Sequence, residues 1–323
     1  MKREGTSDAR GFSFCHACGP ARHGGTRAAS ERTIGRIARE CQSSASVRSR
    51  KRAPVLPIIA TWVIQACCLI SFGCAAPAER TGALARSGGA QVGRVVGAGF
   101  EHVVYTRNQN DDNPVLHIYF SGDGTPFIHS TRIAADPTPR DPLELRLMLE
   151  DPAPSVFIGR PCYQGLARAP GCDATLWTVA RYSDAVVASM TAAVGRVLEG
   201  SQATRVTLIG YSGGGVLAML VAQRVSRVDT VVTIGANLDI DAWTQLHGYS
   251  RLTLSLNPAT APEWRVSLRQ VHLVGAADRN VPPWIAEGFA RTRPGVEVRV
   301  FPEFDHRCCW VDTWPGLLGT FPP

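Results

Sequence analysis

From about residue 95 onward, apolar positions fall into short runs punctuated by glycine and proline, whereas residues 1–47 carry no sustained apolar period. Phe100–Thr106 and Pro114–Phe120 are apolar with many β-branched and aromatic positions, and read as strands joined by the polar turn Asn108–Asn113. Ser155–Ile158 reads as a third, shorter strand. Val186, Val187, Met190, Val194 and Val197 recur at helical spacing, so Ser183–Leu198 is predicted to be a helix, with Ser183 as its N-cap and Gly200 as its stop. A β-branched run beginning at Arg205 breaks at a cluster of glycines, and an apolar helical segment follows through Val221. Val228–Ile234, Val271–Val274 and Val296–Phe301 complete the strands, with a short helix over Trp284–Thr292. Strands alternating with helices imply an α/β domain whose central sheet is mostly parallel and covered on both faces. Asn237–Gln270 interrupts the alternation and predicts a short, lid-like insertion.

Charge divides the chain in two. Of 34 basic and 27 acidic residues, residues 1–52 hold 12 and 4, a balance of +8; the remaining 22 and 23 balance at −1. The basicity therefore belongs to the N-terminal segment, and a nearly neutral body gives no reason to expect a nucleic-acid partner. Residues 1–47, rich in Arg, Ser, Gly and Ala, read as disordered or as an over-extended start. Cys15, His16, Cys18 and His23 lie close together without a second ligand pair at finger spacing, so no metal is expected. Residues 48–76 open on Arg48, Arg50, Lys51 and Arg52, continue as a 20-residue apolar run from Val55 to Cys74, and end in small residues. That is the layout of an export signal, or of a membrane anchor. Residues 77–97 read as a linker and 98–323 as the folded domain.

The chemistry gathers at the glycine cluster. Gly210-Tyr211-Ser212-Gly213-Gly214 stands between a strand and a helix, the setting of a nucleophile elbow. Gly210 and Gly214 clear space beside a strained serine, and the first helical amides turn toward its hydroxyl. A phosphate loop would need a lysine after the glycines, and the Gly-x-Gly-x-x-Gly spacing of a dinucleotide site is missing. Asp278 follows the strand Val271–Val274, and His306 follows the last strand. Ser212, Asp278 and His306 thus lie past three separate strand ends, in the chain order of one serine-hydrolase fold. Asp278 also fits a turn aspartate bonding its own backbone. Asp305 is a rival acid, and Asp239 and Asp241 are better rivals. His247 in the insertion reads as a turn-capping surface histidine, with substrate contact as the sharper alternative. Ser121-Gly122-Asp123-Gly124-Thr125-Pro126 follows an early strand, where a second oxyanion donor is expected, from the backbone N–H of Asp123 alongside that of Gly213.

These motifs, with Gly275-x-x-Asp278-x-x-Val281-Pro282 and Asp305-His306, resemble the α/β-hydrolase family over residues 100–315. The loop at 121–126 departs from that family's pattern in having Ser121 where histidine is usual. Asn237-Leu238-Asp239 and Ser255-Leu256-Asn257-Pro258 resemble a group of uncharacterised proteobacterial envelope hydrolases. Gly73-Cys74 is similar to a lipoprotein cleavage site, making Cys74 a lipidation candidate. The resemblance implies cofactor-free hydrolysis of an ester, with thioesterase or peptidase activity as alternatives, by a protein exported to the cell envelope. The partners would be a small ester or acyl substrate and, if the apolar run is retained, a membrane tether. A non-catalytic envelope scaffold on the same fold is the alternative of a different kind. Four cysteines lie in the body, and exported proteins form disulfides. Cys162 and Cys172 flank one loop and make the first pairing, although Cys308 and Cys309 are also able to reach it.

Overall fold

The computed structural model describes residues 76–109, 114–129, 131–261 and 264–321. The expected disordered segment, the signal or anchor run and Cys74 lie outside the described residues. Among the described residues no helix is long and apolar enough to cross a membrane.

Among the described residues ten strands form: β1 Gln91–Val96, β2 Glu101–Arg107, β3 Val115–Phe120, β4 Phe127–Ile128, β5 Arg132–Ile133, β6 Ser155–Ile158, β7 Arg205–Tyr211, β8 Val228–Ile234, β9 Arg269–Gly275 and β10 Glu297–Phe301. Eight of them make one sheet in the order β1-β2-β6-β3-β7-β8-β9-β10, and β4 pairs only with β5. The pairs β1–β2 and β2–β6 are antiparallel, and every pair from β6 through β10 is parallel. Central strands buried on both faces read as continuous apolar runs, which is why Val228–Ile234 was legible despite Asp229.

Among the described residues seven α-helices cover the sheet: α1 Pro77–Ser87, α2 Leu143–Leu149, α3 Asp184–Glu199, α4 Gly213–Ala222, α5 Ile240–Leu246, α6 Pro283–Arg291 and α7 Trp310–Leu318. Strand alternation separates two apolar layers. Leu116, Ile118, Phe120, Leu208 and Val274 join Met190 of α3, Leu217 of α4 and Phe289 of α6. Tyr105, Tyr119, Ile209, Val232 and Leu273 join Ala85 of α1, Leu145 of α2, and Trp310 and Trp314 of α7. Helix α3 begins where the sequence places it, with Ser183 Oγ accepting from the Val186 N–H at 3.4 Å.

Residues 77–97 are not a linker. They form α1 and the edge strand β1, which pairs with β2 along its whole length from Gln91–Thr106 to Val96–Glu101. Helix α1 buries Thr81, Gly82 and Ala85, a face of small side chains that leaves almost no apolar period. Strand β1 exposes Val92 and Val96, so its valines do not alternate toward a core. Both elements were therefore invisible to a reading based on hydrophobic spacing. Removing them would bare the β2 edge. A chain beginning at residue 98 is expected to melt about 10 °C or more below one beginning at residue 76, as measured by thermal unfolding; equal melting temperatures would make α1 and β1 dispensable.

Candidate active site

Strand β7 ends at Tyr211 and helix α4 begins at Gly213, so Ser212 alone makes the turn. It holds φ 52° and ψ −125°, backbone space that residues with side chains rarely occupy. Its N–H is held by the Ile234 carbonyl at 2.8 Å. The crossing leaves no room for side chains on either flank. A Cβ at Gly214 would lie 2.3 Å from the Phe120 carbonyl oxygen, and one at Gly210 would lie 2.3 Å from that of Gly214. Gly213 is the first helical residue, so its N–H has no acceptor within the helix and carries the partial positive charge of the helix start.

His306 bridges the remaining two residues. Its Nδ1 is 2.7 Å from Asp278 Oδ2, and its Nε2 is 3.2 Å from Ser212 Oγ. Asp278 is buried, and its Oδ1 accepts the N–H groups of Asn280 and Val281, both at 2.8 Å. The carboxylate is thus divided: one oxygen organises the turn and the other faces the imidazole. With an acceptor at Nδ1, the proton resides there and Nε2 presents its lone pair to the serine. The rival acids are engaged elsewhere. Asp305 accepts the N–H groups of Arg307 and Cys308, which hold its carboxyl below the ordinary range. Asp239 caps α5 through the N–H groups of Asp241 and Ala242, and Asp241 meets Asn257 and Arg251. His247 ends α5, stacks on Tyr249 and lies 2.7 Å from the Asn280 carbonyl oxygen.

Asp123 was expected to offer only its backbone. The structure also gives its carboxylate a place, against Gly213, where a Cβ would come within 2.0 Å of Oδ1. Arg160 Nη1 meets Oδ1 at 2.6 Å, Arg181 Nη1 meets Oδ2 at 2.8 Å, and the Tyr182 hydroxyl donates at 2.7 Å. The Tyr163 hydroxyl donates to the Asp123 carbonyl at 3.0 Å. Burial alone would raise the Asp123 carboxyl, but the Arg181 and Arg160 charges outweigh it and bring it down to about 2. A charged cluster thus pins the loop that borders Ser212. Arg160 lies two residues past β6, which was the one available signal; the remoteness of Arg181 and Tyr182 in sequence left none.

Beneath the same loop, Glu144 of α2 is buried and accepts from Ser121 Oγ at 2.9 Å. Burial pushes its carboxyl up to about 7, against the hydrogen bonds from Ser121 and the Gly122 amide. A cleft of about 860 Å³ opens over Ser212, walled by Phe127, Trp243, Tyr249 and Leu252, with Arg181 and Arg307 on its polar side. The lid-like insertion supplies Trp243, Tyr249 and Leu252. Cys162 is bonded to Cys172, and the adjacent Cys308 and Cys309 are bonded to each other, so the second pair does not reach the 162–172 loop.

Glu144 yields a pH test. A carboxyl raised on folding favours the folded state below its unfolded value near 4.5, and that contribution is lost as pH rises through about 7. Wild-type protein is expected to lose up to about 3 kcal/mol of unfolding free energy between pH 5 and pH 9 from this group. Glu144→Gln keeps an acceptor for Ser121 and should flatten that part of the profile in denaturant titrations. Parallel profiles for the two proteins would contradict the assignment.

No protein-family model matches the chain, and no curated protein matches it. Solved structures do. Two crystal forms of esterase Pf2001 from Pyrococcus furiosus each align at TM-score 0.50 and 12% identity, over 73% of this chain and 91% or 93% of theirs. A Xanthomonas campestris α/β serine hydrolase without lid aligns at TM-score 0.46 and 13% identity, over 71% of this chain and 93% of its own. Mouse α/β-hydrolase domain-containing protein 10 aligns at 0.47 and 14%, over 72% and 100%. The mostly parallel eight-stranded sheet, its helical layers and the likeness to the Pyrococcus furiosus esterase lead to one statement of architecture: the chain has the α/β-hydrolase fold.

Proposed function

We propose that the protein is a serine hydrolase that cleaves carboxyl esters through an acyl-enzyme. The observation that carries the reading is the continuous hydrogen-bonded chain from Asp278 through His306 to Ser212, with Ser212 at a strained turn before a helix start. A serine hydroxyl is a poor nucleophile until a base removes its proton. His306 Nε2 takes that proton as Ser212 Oγ bonds to the ester carbonyl carbon. Asp278 holds the tautomer and stabilises the imidazolium that forms. The carbonyl oxygen gains charge as the tetrahedral intermediate forms, and the Gly213 N–H with that of Asp123 binds it; one such donor contributes about 3–4 kcal/mol. Collapse expels the alcohol, which takes the proton from His306. Water then attacks the acyl-enzyme by the same route.

The cleft's apolar wall of Phe127, Trp243 and Leu252 suits an acyl group, and hydrolysis of this kind requires no cofactor. Export to the envelope belongs to the same proposal, supported by the basic and apolar run at 48–74 and by the two cysteine pairs.

A fluorophosphonate probe should label the wild type, and Ser212→Ala should abolish the label. Hydrolysis of nitrophenyl esters of graded chain length should fall about 10⁴-fold or more in Ser212→Ala and His306→Ala. Absence of labelling by probes of several sizes, with the protein folded, would favour the non-catalytic scaffold instead.

A further inference from the structure

His306 Nε2 has a second neighbour besides Ser212. The side-chain nitrogen of Asn280 lies 3.0 Å from it, closer than the serine oxygen at 3.2 Å. A neutral imidazole with its proton at Nδ1 offers one lone pair at Nε2, and that pair accepts one well-directed hydrogen bond. Two donors therefore converge on a single acceptor.

The main chain of Asn280 is fixed from two sides. Its N–H donates to Asp278 Oδ1 at 2.8 Å, tying it to the acid. Its carbonyl accepts from Trp243 Nε1 at 3.0 Å and faces His247 Nε2 at 2.7 Å, tying it to the insertion that walls the cleft. The side chain borders the cleft, with His306 Nε2 as the one hydrogen-bond partner of its carboxamide among the described residues.

We propose that Asn280 is a positioning residue that occupies the proton-accepting nitrogen of His306 while the imidazole is neutral and must yield it for Ser212 to be deprotonated. This rests on the hydrolase reading above. When Nε2 takes the serine proton it becomes a donor, and a donor amide opposite it is no longer tolerated. The carboxamide therefore turns away as the proton arrives, so that Asn280 bonds the neutral base and makes no bond to the protonated one. Its backbone tie to Trp243 and His247 keeps the side chain beside the cleft as it does so.

The test separates a donor to Nε2 from a loop support. Charged and titratable groups around the imidazole are Asp278 after β9, Tyr211 on β7, and Asp305 and Arg307 beside it in its own loop, with Glu144 on α2 acting on Tyr211. None of them changes in Asn280→Ala or Asn280→Asp. A donor to Nε2 favours the neutral ring, so its removal makes the ring easier to protonate. The acid limb of the kcat/KM profile on a nitrophenyl ester should move to higher pH in Asn280→Ala. It should move further in Asn280→Asp, by about one pH unit or more, because a carboxylate favours the imidazolium. The limb of fluorophosphonate labelling should move in parallel. In Asn280→Ala the ¹⁵N resonance of His306 Nε2, recorded above the limb, should shift downfield toward a less hydrogen-bonded nitrogen. Melting temperatures near wild type would verify folding. Identical limbs in all three proteins, with only the plateau lowered, would overturn the proposal. If the wild type neither labels nor hydrolyses, the hydrolase reading fails by itself, and the ¹⁵N shift still decides whether Asn280 donates to Nε2; an unmoved resonance would overturn that too.

Discussion

Everything at the site depends on how closely helix α4 crosses the end of β3. The first turn of α4 passes so near the Phe120 carbonyl that a methyl group at Gly214 would overlap it. That approach forces Ser212 into its left-handed backbone conformation and sets its hydroxyl above the sheet edge. It also brings the loop after β3 beside the start of α4, where Asp123 packs against Gly213 and Ser121 against Gly214. The parallel order β3-β7-β8-β9-β10 supplies the other requirement. Strands running the same way release their loops at the same edge, and Asp278 and His306 come from two of those loops.

The loop after β3 pays for this placement in buried charge. Asp123 sits against Gly213 with its carboxylate out of bulk water, a position costly for a lone ion. Two guanidinium groups and a phenol satisfy it, and the Arg160 side chain is almost wholly buried in doing so. Breaking such a pair strands a charge that the surroundings no longer solvate. Glu144 solves the matching problem on the other side by favouring its neutral form. The two acids beside the cleft are thus shifted in opposite directions, one down by its charged neighbours and the other up by burial.

What was legible in the sequence follows from the range of the underlying interaction. The elbow was readable because its constraint is local: glycines must flank the serine within a few positions. Ser212, Asp278 and His306 were readable because each stands just past an apolar run, and strand ends on a parallel sheet share an edge. The Asp123 cluster was not readable, since Arg160, Arg181 and Tyr182 meet it through a long loop without a repeat. Helix α7 escaped because its anchors are two tryptophans, Trp310 and Trp314, whose burial depends on α2 and β3 rather than on any period of their own. Asn280 escaped for a different reason. Only three-dimensional placement set its side chain beside the imidazole.

The edge strand β1 has a geometric consequence. The path from β1 to the strand that carries Ser212 crosses β2, β6 and β3, and four strand spacings amount to about 19 Å. The described chain therefore enters its fold at the flank, through α1 and β1, while the cleft opens near the middle of the sheet.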